Sequence, residues 1–359
     1  MAIKYKVLIL GASYGSLLGS KLALAGHSVK LVCLPEEAGL INQEGARVRL
    51  PVRGVEGLVE LNTQTMPGDV SADGPGSVKP ADYDLVVFAM QEPQFHSADI
   101  KDLLDSIAEA KVPCMSIMNM PPMTYLKRIS TINADAIQNC YTDASAWDKF
   151  DPALMTLCSP DPQAFRPPTE KVNVLQVGLP TNFRVARFES DEHTAILRQL
   201  ESDIQAIRFD VGDREVELPV KLRVHESVFV PLAKWAMLMA GNYQCIQKDG
   251  MRPIKEAVHS DIEKSRAIYS WVVDLCVSLG GNVKDLVPFE KYANAALSLV
   301  NPSSAARALA AGVPNIERVD RLVQAIAADK GIQSDAVDQT VELVDGWLEK
   351  NRSKEPAAA

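Results

Sequence analysis

Long hydrophobic runs, an excess of positive charge and paired cysteine motifs are all missing from this sequence. No stretch of about 18 apolar residues is present, so no membrane-spanning helix is expected. The 37 basic residues are outnumbered by 46 acidic ones, for a net charge of −9. This disfavours nucleic acid as a partner, because phosphate backbones require a basic surface. There is no CxxC pair and no histidine at metal-binding spacing, so no metal site is predicted.

The six cysteines are scattered and most have apolar neighbours, which is typical of reduced thiols in a cytoplasmic protein. The first residues run straight into an apolar, strand-like segment, so the sequence predicts no signal peptide. The composition, with 47% hydrophobic and 23% charged residues, is that of a soluble globular protein. A length of 359 residues suits two domains.

In its first part the chain alternates short apolar runs with helix-like segments. Runs predicted as buried strands are 6–10, 29–33, 85–89 and 114–118. Continuous apolar strands separated by helices, such as the one predicted over 98–110, are typical of a parallel sheet covered on both faces. We therefore predict an α/β fold with an N-terminal Rossmann-type, doubly wound sheet. The stretch 67–80 is rich in Gly, Pro, Ser and Asp and is predicted to be a surface loop.

Further along, 172–177 and 184–188 resemble strands and 192–207 resembles a helix. The strand signal then ends, and helical patterns cover 223–245, 254–279, 289–299, 303–311, 316–330 and 334–350. The predicted organisation is a dinucleotide-binding domain over 1–210, an all-helical domain for substrate binding and dimerisation over 211–350, and a frayed tail over 351–359. The long apolar helices after residue 250 favour a homodimer.

A glycine-rich turn follows the first strand and opens the first helix, which is the context of a dinucleotide-binding turn. Gly11 would allow the tight turn, Gly15 would let backbone N–H groups approach a pyrophosphate, and Gly19 would let the helix pack closely on the sheet. The positive end of the helix would face the diphosphate. Residues expected to hold the cofactor here are Gly11, Ser13, Tyr14, Gly15 and Ser16. The alternative is a packing turn without a ligand.

The end of the second strand usually contacts the adenosine ribose. An acidic residue there binds the 2′-hydroxyl of NAD, whereas an arginine accommodates the 2′-phosphate of NADP. Here Leu34 offers neither group, and Glu36 or Glu37 could reach a 2′-hydroxyl and would repel a phosphate. These glutamates could equally be solvated charges at a helix start. The pattern leans toward NAD and leaves the choice between NAD and NADP open.

Lys234 lies in a segment that is apolar almost all round, where a buried ammonium is costly unless it is paired. Reduction of a ketone needs a proton donor at the developing alkoxide, and Lys234 is the candidate general acid or base. Asn242 lies two turns further on, about 80° around a regular helix, and could line the same cleft. The alternative is that Lys234 extends its ammonium group to the helix surface.

Three polar residues at element ends are candidate ligand contacts. Asn119 follows an apolar strand, where the carboxyl ends of a doubly wound sheet face the ligand, although an Asx turn before two prolines explains it as well. Ser303 and Ser304 precede an apolar helix, where serine is commonly an N-cap. Arg307, one turn on, could bind a substrate carboxylate or could be a surface residue.

Taken together, these segments resemble the ketopantoate reductase (2-dehydropantoate 2-reductase) family. The run Leu22-Ala23-Leu24-Ala25-Gly26-His27-Ser28-Val29 with Ile41-Asn42-Gln43-Glu44-Gly45 is similar to the first βαβ unit of the family. Asp84-Leu85-Val86-Val87-Phe88-Ala89 with Gln91 and Gln94, Met118-Asn119, Lys234 with Asn242, and Asn301-Pro302-Ser303-Ser304 are similar to later family segments in the same order. The resemblance spans most of the chain.

The resemblance implies a Rossmann domain, a helical domain like that of 6-phosphogluconate dehydrogenases, and a cleft between them. It implies hydride transfer between NADPH or NADH and a 2-keto acid, with Lys234 as the catalytic lysine. It also implies cofactor contacts from Met90, Gln91 and Asn119, and substrate contacts from Asn119, Asn242, Ser303 and Ser304. The expected ligand is a small carboxylate or carbonyl compound.

Several positions depart from the family pattern. Leu34 replaces the NADP-selecting arginine, Gln91 replaces a lysine, and Leu238 replaces the first asparagine of the catalytic helix. The family glutamate falls at about Asn315, with Glu317 two places further on. Two other functions therefore stay open. One is a dinucleotide-binding sensor or partner protein without hydride transfer, and the other is an opine-type dehydrogenase, which commonly uses a histidine that no motif here supplies.

Overall fold

The structure is a computed structural model that describes residues 3–354, and it divides into two units. Unit one contains the described chain up to Met90 together with Gln94–Tyr125 and Ser145–Glu226. Unit two contains Gln91–Pro93, Leu126–Ala144 and the described chain from Ser227 onward. This division places the change of unit 16 residues after the predicted domain boundary at residue 210, and it assigns two earlier segments of the chain to unit two.

The strands are β1 (Lys6–Leu10), β2 (Ser28–Val32), β3 (Arg47–Pro51), β4 (Leu58–Asn62), β5 (Val70–Asp73), β6 (Leu85–Phe88), β7 (Cys114–Ile117), β8 (Met155–Ser159), β9 (Gln163–Phe165), β10 (Val174–Leu179), β11 (Phe183–Ala186), β12 (Phe209–Asp210), β13 (Glu215–Val216), β14 (Leu222–His225), β15 (Ile246–Gln247) and β16 (Gly250–Met251).

The α-helices are α1 (Tyr14–Leu24), α2 (Pro35–Glu44), α3 (Ala98–Ala110), α4 (Met123–Leu126), α5 (Ala134–Ile137), α6 (Asp191–Ala206), α7 (Lys234–Met237), α8 (Ile254–His259), α9 (Ile262–Ser278), α10 (Phe289–Ala296), α11 (Ser304–Ala310), α12 (Val319–Asp329) and α13 (Asp335–Arg352).

Unit one is built on an eight-stranded sheet in the order β14-β11-β8-β7-β6-β1-β2-β5. The six neighbouring strands β8, β7, β6, β1, β2 and β5 run parallel to one another, as the apolar runs of the sequence predicted. Strand β11 is antiparallel to β8, so the sheet is mixed rather than wholly parallel. The central strands are buried because helices cover the sheet, and every residue of β6 and β7 is buried.

A second sheet of four strands, in the order β4-β3-β10-β9, also belongs to unit one. Strands β3, β4 and β9 were not predicted from the sequence. Strands β3 and β4 alternate buried and more exposed residues over only five positions, and β9 has three residues of which none is buried, so all three give a weak signal in a single sequence. Asn173, 3% exposed, joins this sheet to the end of α2 by donating to the backbone carbonyl of Gly45 at 2.8 Å.

Two local predictions in unit one are wrong. The stretch 67–80 is not entirely a surface loop, because β5 pairs with β2 inside it. The predicted helical region 223–245 begins with a strand, because β14 pairs in parallel with β11. In both cases a strand of four residues gains its hydrogen bonds from a neighbour that is distant in the sequence.

Unit two is helical apart from the small hairpin β15–β16. Within the region predicted as one helix over 254–279, Ser260 and Asp261 separate α8 from α9, and the Asp261 side chain accepts a hydrogen bond from the Lys264 N–H at the start of α9. No helix in the described residues 3–354 is long and apolar enough to cross a membrane.

The predicted frayed tail is wrong at its start. Helix α13 continues to Arg352, and Asn351 is 3% exposed. Its amide donates to the carbonyls of Leu309 and Val313, which fixes the helix end against α11. The remainder of the predicted tail from residue 355 lies outside the described residues.

Candidate functional site

The turn between β1 and α1 has a backbone geometry that requires glycine at its first position, residue 11. Gly11 has φ +99°, and a Cβ atom there would lie 2.7 Å from the carbonyl oxygen of Ala89 and 2.6 Å from Cγ of Met90. The Gly11 N–H donates to the carbonyl of Val32 at 2.8 Å, so the turn is bonded to the end of β2. Only glycine fits here without moving the backbone of the neighbouring strand.

The other glycines of the turn pack helix α1 against the sheet. A Cβ on Gly15 would lie 2.8 Å from Cγ2 of Ile9, and one on Gly19 would lie 3.3 Å from Cγ1 of Val29. The predicted packing function of Gly19 therefore extends to Gly15, which we had assigned to the approach of a pyrophosphate. Ser13 has φ −81°, so an ordinary L-residue fits where a glycine is usual.

The hydroxyl groups near the start of α1 donate within the protein. Tyr14 Oη donates to the Pro162 carbonyl at 2.8 Å, and Ser16 Oγ donates to the Ala12 carbonyl at 2.5 Å. No side chain caps this helix at Ser13. The first-turn backbone N–H groups and the positive end of the helix dipole are therefore what this turn offers to an anionic group.

The two glutamates after β2, which the sequence offered equally as contacts for the ribose, differ in their exposure to solvent. Leu34 is 74% exposed. Glu37 is 6% exposed and pairs with Arg166, and burial raises the pKa of its carboxyl group although the guanidinium counteracts this. Glu36 is exposed. Glu36 is thus the acidic group that remains accessible at the position where a ribose is expected.

The remaining predicted cofactor residues follow strands β6 and β7. Met90 lies beside Gly11, as the short distance to its Cγ shows. Gln91, the next residue, is exposed and belongs to unit two. Asn119 is half-buried and lies two residues beyond the end of β7, which neighbours β6 in the sheet. The carboxyl ends of β1, β6 and β7 thus carry Gly11, Met90 and Asn119 at one edge of the sheet.

In unit two, Lys234 is the first residue of α7 and is 8% exposed. Most of its side chain is therefore inaccessible to solvent. The helix is also not regular, contrary to our prediction. It starts as a 3₁₀ turn at Pro231–Ala233, is α-helical only over Lys234–Met237, and continues as a π-turn over Leu238–Asn242.

Asn242 is half-buried and closes the π-turn. Ser303, at 2% exposure, donates its hydroxyl to the Asn242 carbonyl at 2.7 Å and accepts the Ala306 N–H at 3.2 Å as the N-cap of α11. Its hydroxyl proton is therefore already used. Ser304 is exposed, and so is Arg307 one turn further along.

Tyr243, which was not singled out from the sequence, directly follows Asn242 and bonds to a later segment of the chain. Tyr243 donates its hydroxyl to the Glu317 carbonyl at 2.5 Å and accepts the Val319 N–H at 3.0 Å. Glu317 is 9% exposed. Asn315, which aligned with the family glutamate, instead accepts a hydrogen bond from the Arg352 side chain at 2.9 Å. The tyrosine that follows Asn242 would have been hard to recognise as this link from sequence alone.

An ion-pair network adjoins Glu317 in the sequence, beginning at the next residue, Arg318. Arg318 donates to both carboxylate oxygens of Asp320, at 3.0 and 2.9 Å, and to Asp345 at 2.6 Å. Asp320 is fully buried, and burial raises its pKa while Arg318 counteracts this. Such a bidentate pair fixes the backbone on either side of Arg318.

The solved structures that resemble this chain share its architecture over nearly the full length. A 2-dehydropantoate 2-reductase from Methylococcus capsulatus matches with a TM-score of 0.65 and 13% sequence identity, covering 98% of each chain. This chain has the fold of ketopantoate reductases. A dimeric ketopantoate reductase from Staphylococcus aureus matches with a TM-score of 0.60 at 9% identity, covering 96% of this chain and 99% of that one.

The ketopantoate reductase fold is shared with a second enzyme. D-mandelate dehydrogenase, in a ternary structure with NADH and anilino(oxo)acetate, matches with a TM-score of 0.63 and 14% identity. The match covers 97% of this chain and 99% of the dehydrogenase. No protein-family model and no curated protein sequence matches this chain. At these identities the likeness establishes the fold, and the function has to be argued from the site.

Proposed function

We propose that this protein is a nicotinamide-dependent reductase of 2-keto acids, with Lys234 as the proton donor. The observation that carries the proposal is the burial of Lys234 at 8% exposure, eight residues before the half-buried Asn242. A lysine in such a place is costly to keep and needs a reason. Protonation of the oxygen of a reduced ketone supplies one.

Unit one fits the nicotinamide cofactor at three points. The tight turn at Gly11, with a positive φ and no room for a Cβ, leads into α1, whose first-turn N–H groups suit a diphosphate. The exposed Glu36 suits the 2′-hydroxyl of NADH, and its charge opposes a 2′-phosphate. Met90 and Asn119, which follow β6 and β7, are the residues we assign to the nicotinamide half.

When bound, the reduced cofactor supplies a hydride to the carbonyl carbon of the substrate. Lys234 donates a proton to the carbonyl oxygen as negative charge develops there, so the ketone becomes an alcohol with no charged intermediate left behind. Asn242 and the exposed Ser304 bind the polar groups of the keto acid, and Arg307 offers its carboxylate a guanidinium. Glu317 is the acidic group assigned to orient Lys234 or the substrate.

Two neighbours in fold support a 2-keto acid as the substrate. One is named a 2-dehydropantoate 2-reductase, and the other a D-mandelate dehydrogenase. Both names refer to a 2-hydroxy acid and its keto acid. The natural substrate of this chain is assigned only to that class.

The first experiment is a titration of the purified protein with NADH and with NADPH, followed by nicotinamide fluorescence. We expect saturable binding of both, with NADH tighter. A panel of 2-keto acids that includes ketopantoate and benzoylformate then tests turnover. Binding without turnover on the whole panel would favour the dinucleotide-binding protein without hydride transfer. Turnover only when an amine accompanies the keto acid would favour the opine-type reaction.

The assigned proton donor is tested with Lys234→Ala. This change should lower kcat by at least about 100-fold, the usual contribution of a general acid, and leave the Kd for NADH unchanged. Glu317→Gln should also lower kcat. Lys255→Ala, at an exposed position of unit two, is the control and should behave as the parent protein. Unchanged turnover in Lys234→Ala would refute the assignment.

We also propose a homodimer in the cytoplasm. The homodimer rests on exposed apolar side chains in unit two, including Val283 and Val300, both 63% exposed, and on the dimeric neighbour from Staphylococcus aureus. The location rests on the six free cysteines. A single species with the mass of one chain in light scattering would contradict the dimer.

A further inference from the structure

The helix that begins at Lys234 changes its hydrogen-bond pattern within its second turn. The Tyr243 N–H donates to the Leu238 carbonyl, five residues earlier, which is the bond of a π-turn. In a regular α-helix that N–H would bind the Met239 carbonyl. The Gln244 side-chain amide donates to Met239 instead, at 3.1 Å. The π-turn therefore releases a backbone carbonyl, and a side chain supplies its partner.

Hydroxyl groups from two other elements bond to the same segment. Tyr292 of α10 donates to the Met237 carbonyl at 3.1 Å, at the start of the π-turn. Ser303, at the start of α11, donates to the Asn242 carbonyl at 2.7 Å, at its end. Both side chains are buried, at 6% and 2% exposure. Each end of the π-turn is thus bonded by a side chain that is distant in the sequence.

Gly241 allows the first of these contacts. A Cβ atom at this position would lie 1.8 Å from the Tyr292 hydroxyl oxygen and 3.1 Å from Cζ of the same ring. A glycine inside a helix costs about 1 kcal/mol relative to alanine, so it is not retained for the helix itself. The close contact with the Tyr292 hydroxyl group explains why residue 241 is a glycine.

The π-turn changes where Asn242 points. Over eight residues a regular α-helix turns about 800°, which would place Asn242 about 80° away from Lys234. A π-turn accommodates one additional residue, so the same eight residues turn only about 700°. The two side chains then leave the helix about 20° apart. The irregular helix therefore brings the two side chains about 60° closer together than a regular helix would.

We propose that Tyr292 and Ser303 are positioning residues, which hold the π-turn and thereby direct Asn242 to the side of the helix that carries Lys234. The proposal rests on the proposed function, because Lys234 and Asn242 must act on the same keto acid. Neither hydroxyl touches the reacting atoms. Their effect is on substrate affinity, through the direction of Asn242.

The test compares Tyr292→Phe with Tyr269→Phe. Tyr269 is a matched control, because it stacks on Tyr292 at 5.4 Å and donates its hydroxyl to the Val287 carbonyl at 2.7 Å, away from the π-turn. Both variants lose one buried hydrogen bond, so both melting temperatures should fall by similar amounts. Only Tyr292→Phe should raise the KM for the keto acid, by about five-fold, with kcat and the Kd for NADH unchanged.

Ser303 has its own pair of variants. Ser303→Ala should raise KM in the same way as Tyr292→Phe, and Ser303→Thr, which keeps a hydroxyl group, should restore it. A variant that merely lowers the fraction of folded protein would instead lower kcat at constant KM. This difference separates a positioning effect from a general loss of stability.

A third variant uses the close contact at Gly241. Gly241→Ala should lower the melting temperature strongly, and Gly241→Ala combined with Tyr292→Phe should recover part of it, because the oxygen at 1.8 Å is gone. The KM should stay high in the double variant. Full recovery of KM together with stability would overturn the proposal.

Hydrogen exchange over residues 237–245 gives a readout that needs no substrate. Exchange there should be faster in Tyr292→Phe than in Tyr269→Phe. If the parent reduces no keto acid, the proposed function fails, and this measurement still decides whether Tyr292 holds the π-turn. Equal KM and equal exchange in the two variants would refute the inference while leaving the proposed function standing.

Discussion

The hydroxyl of Ser303 donates to the backbone carbonyl of Asn242 at 2.7 Å, and its oxygen caps α11 through the Ala306 N–H. The sequence placed Ser303 and Ser304 together as substrate contacts. The structure separates them, because Ser303 is buried with its proton already donated and Ser304 is exposed. Of the two serines, only Ser304 is therefore accessible for the proposed contact with a substrate.

This separation predicts a large effect on stability for Ser303 and a small one for Ser304. Ser303→Ala should lower the free energy of unfolding by about 1–2 kcal/mol, through loss of the cap and of the bond to Asn242. Ser304→Ala should change it by less than about 0.5 kcal/mol and still raise the KM for the keto acid. Denaturant unfolding and steady-state kinetics on both variants check this. Equal losses of stability would show that Ser304 is also structural.

Gly11→Ala should weaken cofactor binding. The new methyl group meets the Ala89 carbonyl at 2.7 Å, and φ +99° is unfavourable for alanine, so the turn has to move. We expect the Kd for NADH to rise by at least about ten-fold, which corresponds to 1.4 kcal/mol. The control is Gly39→Ala in α2, where no atom lies within 4 Å of the new Cβ. Gly39→Ala should leave the Kd unchanged and stabilise the helix slightly.

The end of β2 predicts how cofactor preference can be changed. Leu34→Arg combined with Glu36→Gln replaces an exposed acid with a cation at the expected ribose, so NADPH should gain on NADH by about ten-fold or more. Fluorescence titration of both cofactors measures the ratio. Glu56→Gln, at another exposed position of unit one, is the control. An unchanged ratio in the double variant would place the ribose away from this strand end.

The burial of Lys21 should make the free energy of unfolding depend on pH. This lysine of α1 is 1% exposed, and its ammonium donates to the Pro219 carbonyl at 2.6 Å. Burial, followed by the nearby charge of Lys221, lowers its pKa from 10.5 to about 7. Between pH 7 and 10.5 the unfolded chain therefore binds a proton that the folded chain has lost, so this group makes the protein more stable as the pH rises.

The measurement is the free energy of unfolding of the parent and of Lys21→Met over that range. Below pH 7 Lys21 is charged in the folded parent, and the full free-energy cost of burying that charge lowers the parent's stability. The stability advantage of Lys21→Met over the parent should therefore be largest there. Its advantage should then shrink by up to about 1.4 kcal/mol per pH unit toward pH 10. Lys79→Met, at an exposed position, should show no such trend. A constant difference between Lys21→Met and the parent would mean that Lys21 titrates normally.

Much of unit one was predictable because its signals are local. The predicted strand 6–10 and helix 98–110 coincide with β1 and α3, and the glycine turn follows β1 as expected. In these segments a buried strand is a continuous apolar run and an amphipathic helix repeats every 3.6 residues. Such patterns persist without knowledge of the rest of the chain.

Elements whose partners are distant in sequence were missed or misassigned. Strand β14 was predicted as the start of a helix, and it is a strand because β11 offers it a free edge. The same holds for β5 at the other edge of the sheet, where β2 supplies the pairing. The tail residue Asn351 was predicted to fray and is held by two carbonyls of the segment 309–313.

The sequence by itself determined the Rossmann-type order of strands and helices, the glycine turn, and the candidates Lys234 and Asn242, because each depends on residue type and short spacing. Only the tertiary structure decided that Glu36 rather than Glu37 stays accessible, since Arg166 reaches Glu37 from β9's end. It also decided that the helix after Lys234 contains a π-turn. The carbonyls at the two ends of that turn accept hydrogen bonds from Tyr292 and Ser303, at least 50 residues further along the chain.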